Sequence, residues 1–113
     1  MRRGEVWWCN LAPTVGAEQQ KQRPCLIVND DAVGILPLKV IVPLTDWKEH
    51  YSVAAWMVRI DPTRTNGLKK PSAADCFQVR SVSEQRLTQQ LGRVSNAEME
   101  RVGTALKAVL RLD

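Results

Sequence analysis

The residue types that do acid–base, nucleophilic or metal chemistry are sparse in this chain. There is one histidine, His50, and there are three cysteines, Cys9, Cys25 and Cys76, which lie far apart in apolar runs without C-x-x-C spacing. That set does not match a zinc or redox site, and the P-loop, G-x-G-x-x-G, H-E-x-x-H and EF-hand patterns are absent. An odd cysteine count in such surroundings reads as reduced core thiols, which behave as small hydrophobes. His50 reads as a solvated loop residue, and a Ser–His or Cys–His nucleophile pair would need it. Any chemistry therefore falls to Arg, Glu, Asp, Thr and Ser. Arg23 is the most unusual of these: Pro24 pins its stem where a polar loop meets an apolar run, leaving the guanidinium fork free for phosphate oxygens. Two readings of it stay open, an anion clamp or an ion pair with Glu5 or Glu18 at a sheet edge. On their own, Glu18 reads as a solvated loop acid and Thr45 as a strand-end hydroxyl that caps a turn.

The elements that must position these residues are mostly strands. Residues 4–11 (GEVWWCNL) are aromatic and aliphatic and stop at Ala12-Pro13, and residues 23–29 (RPCLIVN) form a continuous apolar run suited to a strand buried on both faces. The polar stretch 16–22 between them reads as a solvent-facing loop of the kind that carries function. A third strand over 38–45 (LKVIVPLT) contains Pro43, which cannot donate to a ladder and marks an edge, a bulge or the strand end. After a polar loop at 46–52, further strands are expected at 53–60, 72–79 and 87–94, about six in all, with a helical turn over 83–86. Asn66-Gly67 reads as a type I′ turn, which needs positive φ at both residues. The tail changes period. Ser95-Asn96-Ala97-Glu98 is a capping box, and Met99, Val102, Leu106, Val109 and Leu110 form an apolar stripe opposite Glu100, Arg101, Lys107 and Arg111. The expected fold class is mostly β (α+β), a small barrel or sheet with a C-terminal helix packed on it.

At 113 residues, 44% hydrophobic and 25% charged, the chain has the composition of an ordinary soluble protein and the length of a single domain, 1–113. Sixteen Lys and Arg against twelve Asp and Glu give a net charge of +4, which favours a polyanionic partner without requiring one. No apolar window approaches a membrane span and no apolar segment follows the basic start, so a cytoplasmic protein with no membrane partner is expected.

Taken in order, the motifs resemble a family. Arg3-Gly4-Glu5-Val6-Trp7, Pro13-Thr14-Val15-Gly16 with Glu18-Gln19, and Arg23-Pro24 are similar to the opening of the MazF/PemK/Kid toxins. Val42-Pro43-Leu44-Thr45, Gly67-Leu68-Lys69-Lys70-Pro71-Ser72, Gln78-Val79-Arg80-Ser81-Val82, Arg86-Leu87, Leu91-Gly92 and the C-terminal helix continue the similarity over nearly the whole chain. The resemblance implies an SH3-like barrel of the CcdB/MazF type, a homodimer, and a toxin that cleaves single-stranded RNA, usually mRNA, at a short sequence without metal or other cofactor. It also implies a cognate antitoxin partner. Arg23 matches the family's catalytic arginine, Thr45 its catalytic threonine and Glu18 its loop glutamate. One position departs: Phe77 stands where members commonly carry Asp or Glu before Gln-x-Arg. Asp75, on the same face if the strand is regular, is the available substitute.

Metal-free RNA cleavage uses the ribose 2′-OH as internal nucleophile, so the protein must take its proton, stabilise a phosphorane and protonate the 5′ oxygen. Arg23 suits charge stabilisation and, always protonated, not the role of base. Thr45 can donate to a non-bridging oxygen and Glu18 is the best base, with His50 as an alternative proton carrier. Lys21, Lys48, Lys69, Lys70, Gln78 and Arg80 are the expected RNA-binding residues, with Trp47 as the aromatic on which a base can stack. Trp7, Trp8 and Trp56 read as strand residues serving core or dimer packing. Two other classes remain: a CcdB-like gyrase poison, whose aromatic-Gly-Ile tail is not matched by Leu112-Asp113, and a plain SH3-like RNA-binding module, which would have no use for Arg23 with Thr45.

Overall fold

Alternation along the first three strands sets the architecture. In β1 (Glu5–Asn10), β2 (Gln22–Ile27) and β3 (Leu38–Asp46), the side chains of Val6, Leu26, Val42 and Leu44 enter one core while Cys9, Cys25, Ile27 and Ile41 enter a second. A period of two sends successive residues to opposite faces, so a sheet buried on both sides needs the near-continuous apolar runs seen here. The computed structural model describes residues 1–13, 15–18, 21–34 and 36–112. Motif residues Thr14 and Gln19, with Gln20 of the 16–22 loop, Ile35 and Asp113, lie outside the described residues.

β4 (Met57–Ile60), β5 (Ser72–Asp75), β6 (Arg80–Ser83) and β7 (Leu87–Arg93) complete an antiparallel seven-stranded sheet of order β4-β5-β3-β2-β1-β7, with β6 also on β3. β3 is the hub. Its residues 38–41 pair with β6 and 44–46 with β5, and the change of partner falls at Val42-Pro43. Because Pro43 has no N–H to donate, the outer edge of β3 has a natural break there, and a 3₁₀ turn at Cys76–Gln78 links the two partner strands across it. The expected mostly-β class with a C-terminal helix holds, but the barrel is not closed: among the described residues no pairing joins β4 to β7. Helix α1 (Asn96–Leu110) packs instead on β4 and the Cys76–Gln78 turn.

Both halves of the capping box form: Ser95 Oγ accepts from the Glu98 N–H at 3.1 Å, and Glu98 Oε1 accepts from the Ser95 N–H at 2.9 Å. Met99, Val102 and Ala105 are buried, whereas Leu110, expected on the stripe, is exposed. All three cysteines are free and buried. Burial pushes the Cys76 thiol up to about 12, and the hydrogen bond shared with Cys9, together with burial, holds Cys25 well above the usual thiol range. Cys25 and Cys76 are therefore neutral core groups at physiological pH, while the hydrogen bond with Cys25 draws the Cys9 thiol below its usual value.

Three local expectations are corrected. The 53–60 run is strand only over Met57–Ile60, because Glu49–Val53 forms a 3₁₀ turn and Tyr51 O accepts from the Ala54 N–H at 2.9 Å. Val53 and Trp56 are thus left exposed, and Trp56 is not a strand residue. The 72–79 run ends at Asp75, whose carboxylate accepts from the Phe77 N–H at 3.2 Å and from Gln78 Nε2 at 3.0 Å, caps the turn and leaves β6 as a separate strand. Asn66-Gly67 is not a type I′ turn: Gly67 has φ +72° but Asn66 is not in the positive region. Buried Asn66 instead ties the 61–68 loop together, accepting from the Thr63 and Leu68 N–H groups and donating to Asp61 O. A Cβ on Gly67 would stand 2.2 Å from Leu91 O, so the loop reaches β7 only through glycine.

Candidate active site

Arg23 is the second residue of β2, held between β1, where it pairs with Cys9, and β3. The register that sets Cys25 against Pro43 continues to bring Arg23 beside Thr45, and Arg23 Nη1 donates to Thr45 Oγ1 at 3.4 Å. The guanidinium Nε is buried and has no partner among the described residues. Nor does any carboxylate among them lie within ion-pair reach of Arg23. Glu5 is engaged elsewhere, accepting from Trp7 Nε1 at 2.8 Å and pairing with the N-terminal ammonium at 3.7 Å. Glu18 Oε1 accepts from the Val15 N–H at 2.8 Å within its own loop. The sheet-edge ion pair is therefore not the state of Arg23. A half-buried cation with an unsatisfied donor is a costly arrangement, and a bound anion would relieve it.

The hollow of about 700 Å³ that Arg23 and Thr45 line is shared with Lys69 and Lys70 from the 61–71 connection and with Trp8, Gln22, Asp46, Leu68 and Leu91. Lys70 is exposed and pairs with Asp46 at 3.1 Å. A second hollow of about 590 Å³ is lined by Glu18, Gln78 and Arg80 together with Leu11, Val15, Pro43 and Phe77. Pro43 and Thr45, two residues apart on β3, each line one of them. Arg23 and Arg80 both act electrostatically on the buried Cys25 thiol, drawing it downward against the larger effects of its hydrogen bond and burial. Among the described residues four cations line the two hollows, Arg23, Lys69, Lys70 and Arg80, against two carboxylates, Asp46 and Glu18, and this excess of positive charge favours a polyanion at this end of the sheet.

The structure thus gathers Arg23, Thr45, Lys69 and Lys70 in one hollow and Glu18, Gln78 and Arg80 in the neighbouring one, so Glu18 and Arg23 do not share a cavity. Lys21, Trp47, Lys48 and His50 line neither. The Trp47 ring is committed within the protein: the Arg59 guanidinium sits 5.4 Å from its centroid and Tyr51 meets it edge-on at 5.9 Å. His50 is exposed and packs against Tyr51 at 4.6 Å. Asp75 does not substitute for the carboxylate replaced by Phe77, because it is buried as the cap of the 3₁₀ turn. Two wall residues, Trp8 and Phe77, were not legible as site residues. Trp8 is half-buried, with its Nε1 donating to Gln22 Oε1 at 2.6 Å. Among the described residues no group of three or more His, Cys, Asp or Glu is placed to hold a metal ion, and no helix is long and apolar enough to cross a membrane.

Residues 2–110 match the family model of the PemK-like, MazF-like toxin of type II toxin–antitoxin systems. Endoribonuclease MazF9 of Mycobacterium tuberculosis is 35% identical over 118 aligned positions, covering 99% of this chain and 98% of the relative. Endoribonuclease PemK of Escherichia coli is 34% identical, with 97% and 82% covered. In fold, the chain is similar to an endoribonuclease from a mycobacterial species solved with its cognate antitoxin, at a TM-score of 0.78 and 24% identity over 100% of this chain and 97% of that one.

Proposed function

Since the chain belongs to the PemK-like, MazF-like toxins of type II toxin–antitoxin systems, we propose that it is an endoribonuclease that cuts single-stranded RNA, mRNA above all, at a short sequence and without a metal. Residues 1–113 act as one toxin domain, in the cytoplasm, as a homodimer, silenced by a cognate antitoxin. The observation that carries this reading is Arg23, a half-buried guanidinium with an unsatisfied Nε and no carboxylate partner among the described residues, beside the Thr45 hydroxyl.

In the proposed step the ribose 2′ oxygen attacks the adjacent phosphorus while the bond to the 5′ oxygen breaks, leaving a 2′,3′-cyclic phosphate and a 5′-hydroxyl. Arg23 holds the non-bridging oxygens, and its attraction strengthens as charge builds on them. Because Thr45 Oγ1 accepts from Arg23, its own proton is free to donate to the same phosphate. Glu18, which lines the neighbouring hollow, takes the 2′ proton of a strand that spans the two hollows, and the departing 5′ oxygen is protonated from solvent. Lys69, Lys70, Gln78 and Arg80 hold the flanking strand, with Lys21 and Lys48 adding charge at the approaches. Cleavage of a long single-stranded RNA in EDTA, with the cut ends mapped, tests the reading: recurrent cuts at one short sequence support it, and a requirement for added magnesium removes it.

A further inference from the structure

Two large aromatics stand in solvent beside the site, and the mechanism above uses neither. Phe77 is 68% exposed and Trp56 41% exposed, and their rings meet edge-to-face with centroids 6.0 Å apart. Adjacent exposed aromatics on a basic protein mark an interaction surface more often than an accident of composition. The pair is held firmly. Asp75 fixes the Phe77 backbone by accepting from its N–H, and the Cys76 N–H donates to Trp56 O at 2.9 Å, tying the two segments together. A ring presented in this way loses little freedom on binding, which favours stacking on a flat partner.

We propose that Phe77, buttressed by Trp56, is the platform on which an unpaired nucleobase flanking the scissile phosphate stacks. This rests on the proposed ribonuclease activity. The occupant is set by continuity and charge: Phe77 lines the same hollow as Glu18 and Arg80, and Arg80 makes no ion pair with any described residue. An aromatic face beside an unpaired guanidinium is the combination that grips single-stranded nucleic acid, the cation taking the phosphate and the ring the base. Phe77 also changes what this position can read. A carboxylate accepts hydrogen bonds from particular base edges, whereas a phenyl ring offers a π-face that every base can match. The platform therefore contributes affinity and positioning at one nucleotide with weak selectivity for its identity.

The test uses the full-length protein and an RNA carrying 2′-deoxyribose at the mapped cut, so that it binds uncleaved, with 2-aminopurine placed in turn on either side. Binding should quench the probe at one flanking position, and Phe77→Ala should remove that quenching while weakening affinity between about 5- and 150-fold. Phe77→Tyr should retain both, and Phe77→Leu, which keeps bulk without a π-face, should lose most of each. An abasic nucleotide at that position should erase the difference between parent and Phe77→Ala, a result independent of any folding defect. Unchanged quenching and affinity within twofold for Phe77→Ala would overturn the proposal. So would a loss of dimer mass or antitoxin binding with RNA binding intact, which would make the pair a protein interface. Failure of the parent protein to cut RNA would instead remove the ribonuclease reading itself.

Discussion

Replacing Arg23 by Met keeps the aliphatic stem and deletes the charged head, and the structure predicts opposite signs for stability and activity. Among the described residues the head makes one long hydrogen bond, 3.4 Å to Thr45 Oγ1, and leaves Nε buried without a partner. A typical hydrogen bond contributes about 0.5–1.5 kcal/mol, here toward the low end, whereas an unsatisfied buried donor costs about 1–3 kcal/mol. The second effect wins. Arg23→Met should therefore be as stable as the parent or up to about 2 kcal/mol more stable, a rise in melting temperature of up to roughly 8 °C for a chain this long. Cleavage should fall by at least about 100-fold, as on removal of one oxyanion donor, with Arg23→Ala similar and Arg23→Lys intermediate because it keeps charge without the fork. Binding of an uncleavable RNA should fall far less than the rate, since a contact strongest in the transition state adds little in the ground state. Thermal melts and single-turnover cleavage on the same samples decide the matter. A variant that melts lower and whose folded fraction cuts at nearly the parental rate would refute the reasoning and return Arg23 to a structural role.

Thr45→Val, close in shape but without the hydroxyl, should slow single-turnover cleavage by about 10-fold, less than any loss of the Arg23 head, and a rate within twofold of the parent would exclude a phosphate contact from Thr45. Gly67→Ala should cost about 3 kcal/mol or more in denaturant unfolding, because φ +72° is strained for alanine and the new Cβ would lie 2.2 Å from Leu91 O; a loss under about 1 kcal/mol would mean that the loop is not packed on β7 as described. Burial alone would raise the Glu5 carboxyl, but hydrogen bonds from the Trp7 indole and the Arg2 backbone, with the N-terminal and Arg93 charges, outweigh it and hold Glu5 below its usual value. A depressed carboxylate contributes stability that is present above its unfolded value and lost as pH falls through its folded one. Glu5→Gln should therefore flatten the decline in stability below about pH 4.5. Unfolding curves of parent and variant that run parallel from pH 6 to pH 3 would contradict this.

The β framework was legible where burial dictates it. The runs that became β1, β2 and β3 are apolar on both faces because the sheet is covered on both sides, and the capping box announced α1 through chemistry local to four residues. The misreadings fall where a side chain redirects the backbone. Asp75 turns the chain into a 3₁₀ turn and exposes Phe77, and nothing in the apolar run 72–79 signals that its carboxylate will bond forward rather than lie in a strand. Asn66-Gly67 carries the composition of a hairpin turn, yet burial of Asn66 and the close approach of Gly67 to Leu91 are tertiary facts invisible to a dipeptide. Arg23 beside Thr45 was legible as motif, and only the register of β2 on β3 makes it geometry. Trp47 looked free because its neighbours in sequence are polar, while the group that covers it, Arg59, arrives from β4.

The central claim, that the protein drives the 2′ oxygen of RNA onto its own phosphate at Arg23, is tested most directly by changing one atom of the substrate. An oligonucleotide matching the mapped cut site is prepared with a single 2′-deoxyribose on the 5′ side of the scissile bond, and its cleavage in EDTA is compared with that of the all-RNA strand. The account predicts that the all-RNA strand is cut to a 2′,3′-cyclic phosphate and a 5′-hydroxyl, while the deoxy-substituted strand binds with similar affinity and is not cut at that bond. Cleavage of the substituted strand at the same bond and a comparable rate would contradict it.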